Sequence, residues 1–152
     1  MTIIAAIDRS DDAEHVVAEG AKLAERFGTE LHVVHVAGQY ETTKRVRLDA
    51  SEGSRDPLEM DDDERARVHA ESVGTAVTDE FTAVGLVGFP ADEILRYADE
   101  RDARYIVVGG RRRSPIGKAL FGSTAQEILL ESTRPVVTVA RSKAADDSVS
   151  EE

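Results

Sequence analysis

The chain has 152 residues, 41% of them hydrophobic, which fits one domain with a full core, and no second domain is expected. Thirty acidic residues against nineteen basic ones give a formal net charge of -11, which opposes nucleic acid or anionic membrane as a partner except through a local basic patch. The absence of cysteine excludes disulfides, thiolate metal sites and cysteine nucleophiles, and no apolar run approaches the ~20 residues of a membrane helix.

Met1-Thr2-Ile3 enters a strand pattern directly, without the regions of a signal peptide, so a cytoplasmic protein is expected. Ile3 to Ile7 is a continuous apolar run ending in Asp8, the pattern of a strand buried on both faces and hence of a parallel sheet. Ser10-Asp11-Asp12 offers helix caps, and Ala13, Val16, Val17, Gly20, Ala24 and Phe27 recur at helical spacing as far as Gly28. Leu31 to Val36 is the second strand and completes one βαβ unit. From Ala37 to about Glu59 the pattern dissolves into polar residues, read as a mobile insertion over 37–60 that is either a surface loop or a lid or partner-binding segment. Asp61-Asp62-Asp63-Glu64 then opens a helix with Ala66, Val68, Val73, Val77 and Phe81 as its apolar stripe, and Thr82 to Val87 is the third strand. Gly88-Phe89-Pro90 turns into a helix with Ile94, Leu95, Tyr97 and Ala98 inward.

The stretch from Tyr105 to Ala140 organises the rest. A fourth strand, Tyr105 to Val108, breaks at Gly109-Gly110 into a basic loop, Gly122 opens a further helix, and Val136 to Ala140 is the fifth strand. Glycines leave backbone bare, and the first amides of a helix point out unpaired, so this stretch suits an anion such as phosphate. Ser123 to Gln126 also fits a Ser-x-x-Gln capping box, which would explain Ser123 without a ligand. The alternation of strands and helices predicts an α/β parallel sheet, Rossmann-like, with helices on both faces over 1–141 and a disordered acidic tail over 142–152.

These residues carry a family likeness. The stretch resembles the C-terminal signature of the universal stress protein family, whose nucleotide-binding branch has a Gly-x-x-Gly-x9-Gly-Ser/Thr pattern. Aligned on Gly122-Ser123, its first glycine falls on Gly109 and its second on Arg112, a departure from the pattern. The likeness extends to the first strand with Asp8, the Gly88-Phe89-Pro90 turn and the last strand. It implies the strand order 3-2-1-4-5, which puts Asp8 and Gly109 at the ends of adjacent strands, on a crevice.

By the resemblance, Ala6, Ile7, the Val36 backbone and Val108 would line an adenine pocket. Asp8 would take the ribose hydroxyls or a nucleotide-bound Mg2+, its alternative being to cap the first helix. Gly109, Gly122, Ser123 and Thr124 would meet phosphates. Arg111, Arg112 and Arg113 either form a solvated loop or supply guanidinium contacts where the second glycine is missing, with Lys118 and Ser114 behind them. No Walker loop is present, and His32 and His35, three apart on one strand, face opposite ways, while His15 and His69 stand alone.

The resulting expectation is a stress-response sensor or regulator that binds ATP or a related adenine nucleotide. Its rivals are a nucleotide-free interaction module of the same family, kept open by Arg112, and a slow ATP-hydrolysing enzyme. The apolar, uncharged edge strand Val136 to Ala140 predicts a homodimer, as does the resemblance; a further protein partner stays unidentified. Acid excess with few lysines is the surface of a halophilic protein, or simply of an acidic one from a GC-rich genome.

Overall fold

The computed structural model describes residues 1–38, 61–113 and 119–140, with backbone alone for 111–113 and 119–120. The stretch 39–60 of the expected insertion, Ser114, Lys118 and the expected tail lie outside the described residues. Among the described residues, six strands, β1 (Thr2–Ile7), β2 (Glu30–Gly38), β3 (Thr82–Gly88), β4 (Ala103–Arg113), β5 (Ala119–Leu120) and β6 (Val136–Ala140), alternate with α1 (Ala13–Phe27), α2 (Asp62–Thr75), α3 (Pro90–Glu100) and α4 (Ser123–Glu131).

All six residues of β1 are buried, because the strand lies mid-sheet and has helices on both faces. Alternation along it divides the core in two. Ile3, Ala5 and Ile7 pack with Val16 and Val17 of α1 and Ala70 of α2, while Ile4 and Ala6 pack with Ile94 of α3 and Ile128 of α4. The parallel strands run β3-β2-β1-β4-β6, which is the expected order 3-2-1-4-5 counted over the parallel strands.

Several local expectations are corrected. β4 does not break at Gly109-Gly110: it continues through Arg113, with a register shift between Gly109 and Arg111, and Arg112 and Arg113 pair antiparallel with Leu120 and Ala119. The basic segment is thus one arm of a small ribbon rather than a loop. β2 runs on to Gly38, so Ala37 belongs to the sheet and not to the insertion. The buried stripe of α2 is Ala66, Ala70 and Gly74, and the helix ends at Thr75. Val68 lies outward, while Val77 and Phe81 reach the core from beyond the helix. Apolar character misled there, because small residues let this helix lie closer to the sheet than valines would.

Gly85 of β3 carries that close approach. A Cβ on Gly85 would stand 2.1 Å from the Asp63 carbonyl oxygen and 2.3 Å from the Arg67 nitrogen, both backbone atoms of α2. Gly85→Ala is therefore expected to cost at least the ~1–3 kcal/mol of an overpacked core, whereas Gly122→Ala, at φ -67° with open space around it, leaves stability nearly unchanged. Urea unfolding of the two variants beside the wild type checks the contrast.

A polar chain that runs from exposed Glu30 through buried His32 to buried Tyr97 joins the start of β2 to the end of α3. His32 Nε2 donates to Glu30 Oε1 at 2.9 Å, and its Nδ1 lies within hydrogen-bond distance of the Tyr97 hydroxyl at 2.7 Å. The His32 hydrogen bond holds Glu30 below the usual carboxylate range, so its contribution is present at neutral pH and is lost as pH falls through that lowered value. Burial pushes the Tyr97 hydroxyl up, so its contribution is intact below the ordinary phenol value of about 10 and is lost as pH rises through the raised one. Tyr97→Phe is expected to be about 1 kcal/mol less stable at neutral pH and to lose less stability on alkalinisation. Parallel urea midpoints for variant and wild type from pH ~7 to ~10.5 would contradict this.

Candidate functional site

β1 and β4 lie side by side, with Ala6 paired to Val108, and the chain leaves their carboxyl ends toward opposite faces of the sheet. A crevice of about 290 Å³ opens there. Of the expected site residues, Ala6, Ile7, Asp8, Val36, Val108, Gly109, Gly122, Ser123 and Thr124 all line it. The backbone of Arg111 to Arg113 continues from Gly110 into the ribbon, and their side chains lie outside the described residues.

The floor is apolar and largely buried: Ala6, Val36 and Val108 are 8%, 5% and 3% exposed, and Ile94 and Ile128 extend it from the helices. The rim is polar. Asp8 is exposed, and its Oδ1 accepts from the Ser10 amide at 2.9 Å, while Ser10 Oγ accepts from the Asp12 amide at 3.2 Å. Asp8 therefore orders the turn into α1 without capping the helix itself, and its second oxygen retains lone pairs for a ligand.

The capping box does not form. Gly122 is the N-cap in an extended conformation and Ser123 is the first helical residue; no side chain caps this end among the described residues. Gln126 instead donates its amide to the Gly122 carbonyl at 2.9 Å, the first bond of the helix. The amides of Ser123, Thr124 and Ala125 are thereby left at the crevice with the positive end of the helix dipole.

Sequence reasoning missed several lining residues. Gly110 adopts φ 123°, a region for glycine, while the bare Cα of Gly109 serves packing, since a Cβ there would stand 2.9 Å from Val16 Cγ2. The Gly109-Gly110 pair was itself the available signal. Arg9 adds a cation to a rim that also holds Asp8 and Asp12. His35 lines the crevice from β2, and the expectation that it and His32 face opposite ways holds: His32 meets Tyr97, and His35 meets His69 of α2 with ring centroids 4.6 Å apart. His69, expected to stand alone, thus stands behind the crevice lining, against His35 and the Asp8 carbonyl.

No group of three or more His, Cys, Asp or Glu side chains among the described residues forms a metal cage. An Mg2+ ion here would have to be held chiefly by ligand phosphates, with Asp8 as the chain's contribution, a division that suits this ion.

Known proteins are similar to this chain along most of its length. A universal stress protein of Mycolicibacterium smegmatis is 48% identical over 48 residues, a match covering 32% of this chain and 37% of that relative. One from Thermus aquaticus is 29% identical over 147 residues, covering 91% of this chain and 97% of its own. Among solved structures, a universal stress protein from Archaeoglobus fulgidus superposes with TM-score 0.62 at 30% identity, over 91% of this chain and 97% of that one. The A. fulgidus universal stress protein in complex with dAMP superposes with TM-score 0.56 at 25% identity, over 91% and 96%. No helix among the described residues is long and apolar enough to cross a membrane. The model of the universal stress protein family matches residues 1–140, and the chain belongs to that family.

Proposed function

We propose that the crevice binds ATP or a related adenine nucleotide and that the protein acts as a sensor or regulator through that binding. One observation carries the reading: an apolar floor, a helix N-terminus without a side-chain cap and a positive-φ glycine meet in a single crevice. Apolar walls from Ala6, Ile7 and Val36 suit a purine, whose edge backbone groups can read. Asp8 stands where ribose hydroxyls would come, and the backbone of Gly109, Gly110 and Ser123 to Ala125 suits phosphates, with Mg2+ arriving on them. The dAMP carried by the A. fulgidus relative supports an adenine nucleotide as the ligand class. The alternative, a nucleotide-free interaction module, draws on Arg112, whose backbone pairs with Leu120 where the family's pattern has a glycine.

Mass spectrometry of small molecules released on denaturing the purified protein, followed by calorimetric titration with ATP, separates the two. Adenine nucleotide is expected in the released fraction. Gly122→Val, which the backbone conformation and open space tolerate, is expected to lower ATP affinity at least tenfold at an unchanged melting temperature. Unchanged affinity in that variant would count against the site, and a wild type that binds no nucleotide would favour the interaction module.

The same reading includes a homodimer through β6. The strand pairs with β4 on one side, its valines are half-buried, and it carries no charge against edge-to-edge pairing. An antiparallel β6 pair across a two-fold axis would cover both edges at once. Light scattering at micromolar concentration is expected to give twice the chain mass for the wild type and the chain mass for Thr138→Lys. A monomeric wild type would end this part of the proposal.

A further inference from the structure

We infer that His35 and His69 are a positioning pair that holds the end of β1, and with it the Asp8 carboxylate, against the ribose of a bound nucleotide; the inference rests on the crevice being an adenine nucleotide site. The last register pair between β1 and β2 is Ile7 with His35, so Asp8 lies one residue beyond the ladder. No sheet bond of β1 reaches it, yet the proposed role requires a fixed carboxylate.

Two imidazoles supply the hold. His35 Nδ1 lies 3.0 Å from the Ile7 carbonyl oxygen, and His69 Nε2 lies 3.0 Å from the Asp8 carbonyl oxygen. A carbonyl has no proton to give, so both ring nitrogens are donors, and the tautomer-defining protons sit on Nδ1 of His35 and Nε2 of His69. The rings touch edge to face, each bracing the other. His35 is 3% exposed and fixed in the central sheet, so the more accessible His69 is oriented by a rigid neighbour.

The carboxylate follows the backbone. Asp8 Oδ1 is already held by the Ser10 amide, so anchoring the Asp8 carbonyl leaves the side chain little freedom. Three hydrogen bonds thus fix two successive residues at the crevice rim, and one comes from a helix 61 residues away in the chain. A pair that merely filled the core would need neither ring to meet a carbonyl at the rim. Site geometry therefore depends on how α2 is seated against the sheet, a seating that Gly85 permits.

The test is calorimetric affinity for ATP and for 2′,3′-dideoxy-ATP on the wild type, His69→Ala and His69→Gln. In the wild type, loss of the ribose hydroxyls is expected to weaken binding about tenfold, the worth of one hydrogen bond to a charged group. In His69→Ala, ATP is expected to weaken by a similar factor and dideoxy-ATP hardly at all, because both changes remove one interaction and are not additive. His69→Gln, whose amide nitrogen can take the place of Nε2, is expected to recover most of the loss. If His69→Ala does not fold, His69→Asn, too short to reach the carbonyl, takes its place. Equal weakening of both nucleotides, or none of either, overturns the positioning role. So does a wild type that binds ATP and dideoxy-ATP alike, which leaves the site reading standing. A wild type that binds neither nucleotide overturns both.

Discussion

A strand with no wet face has to end somewhere, and the rest of the molecule is arranged around that end. β1 is buried on every residue between β2 and β4, with α1 and α2 over one face and α3 and α4 over the other. Its ladder supplies hydrogen bonds as far as Ile7, and there the chain must turn away. β4 reaches the same level and leaves toward the other face, so a crevice opens over the carboxyl ends of two central strands. The crevice follows from covering both faces of a parallel sheet. What occupies its rim is a separate matter, set by Asp8, Arg9 and the start of α4.

Close backbone approach is the second constraint, and the glycines meet it for different reasons. At Gly85 the neighbour is the main chain of α2, and at Gly109 it is the side chain of Val16, so both positions are dictated by packing. Gly122 has nothing near it, so its missing side chain keeps space open in front of α4. The two glycines of the motif thus differ: Gly109 serves packing, and Gly122 leaves open space in front of α4.

The charges divide in the same way. Arg67 with Glu64 and Glu71, and Arg96 with Glu93 and Glu100, are pairs one helical turn apart on solvent-facing helix surfaces, where water and salt screen the attraction and little stability comes from it. Arg134 is different. Largely covered, it donates to the Ala103 carbonyl at 2.7 Å and reaches Asp99 and Asp102, tying the turn before β4 to the turn before β6. Asp102 sits there at φ 53°, a strained conformation for a non-glycine residue that the arginine helps to hold. This lock lies at the amino ends of those strands, away from the crevice.

The sequence by itself determined the sheet and its helices, because a two-sided buried strand writes itself as an unbroken apolar run and an amphipathic helix as a 3.6-residue period, as in Ile3 to Ile7 and Val16 to Ala24. Strand order and the crevice floor came with the family likeness carried by Asp8, Gly109 and Gly122-Ser123. Boundaries set by hydrogen bonds were less legible: β4 runs through the glycines into Arg113 because Leu120 and Ala119 pair with it, and no local pattern announces a two-residue partner. The Ser123 capping box failed because Gly122 took the N-cap, a choice made by backbone conformation and not by composition. Only the tertiary structure brought His69 to His35 and both to the end of β1. Contacts between residues 61 apart in sequence depend on how a helix is seated on a sheet, and here that seating rests on a glycine whose neighbours are invisible until the chain is folded.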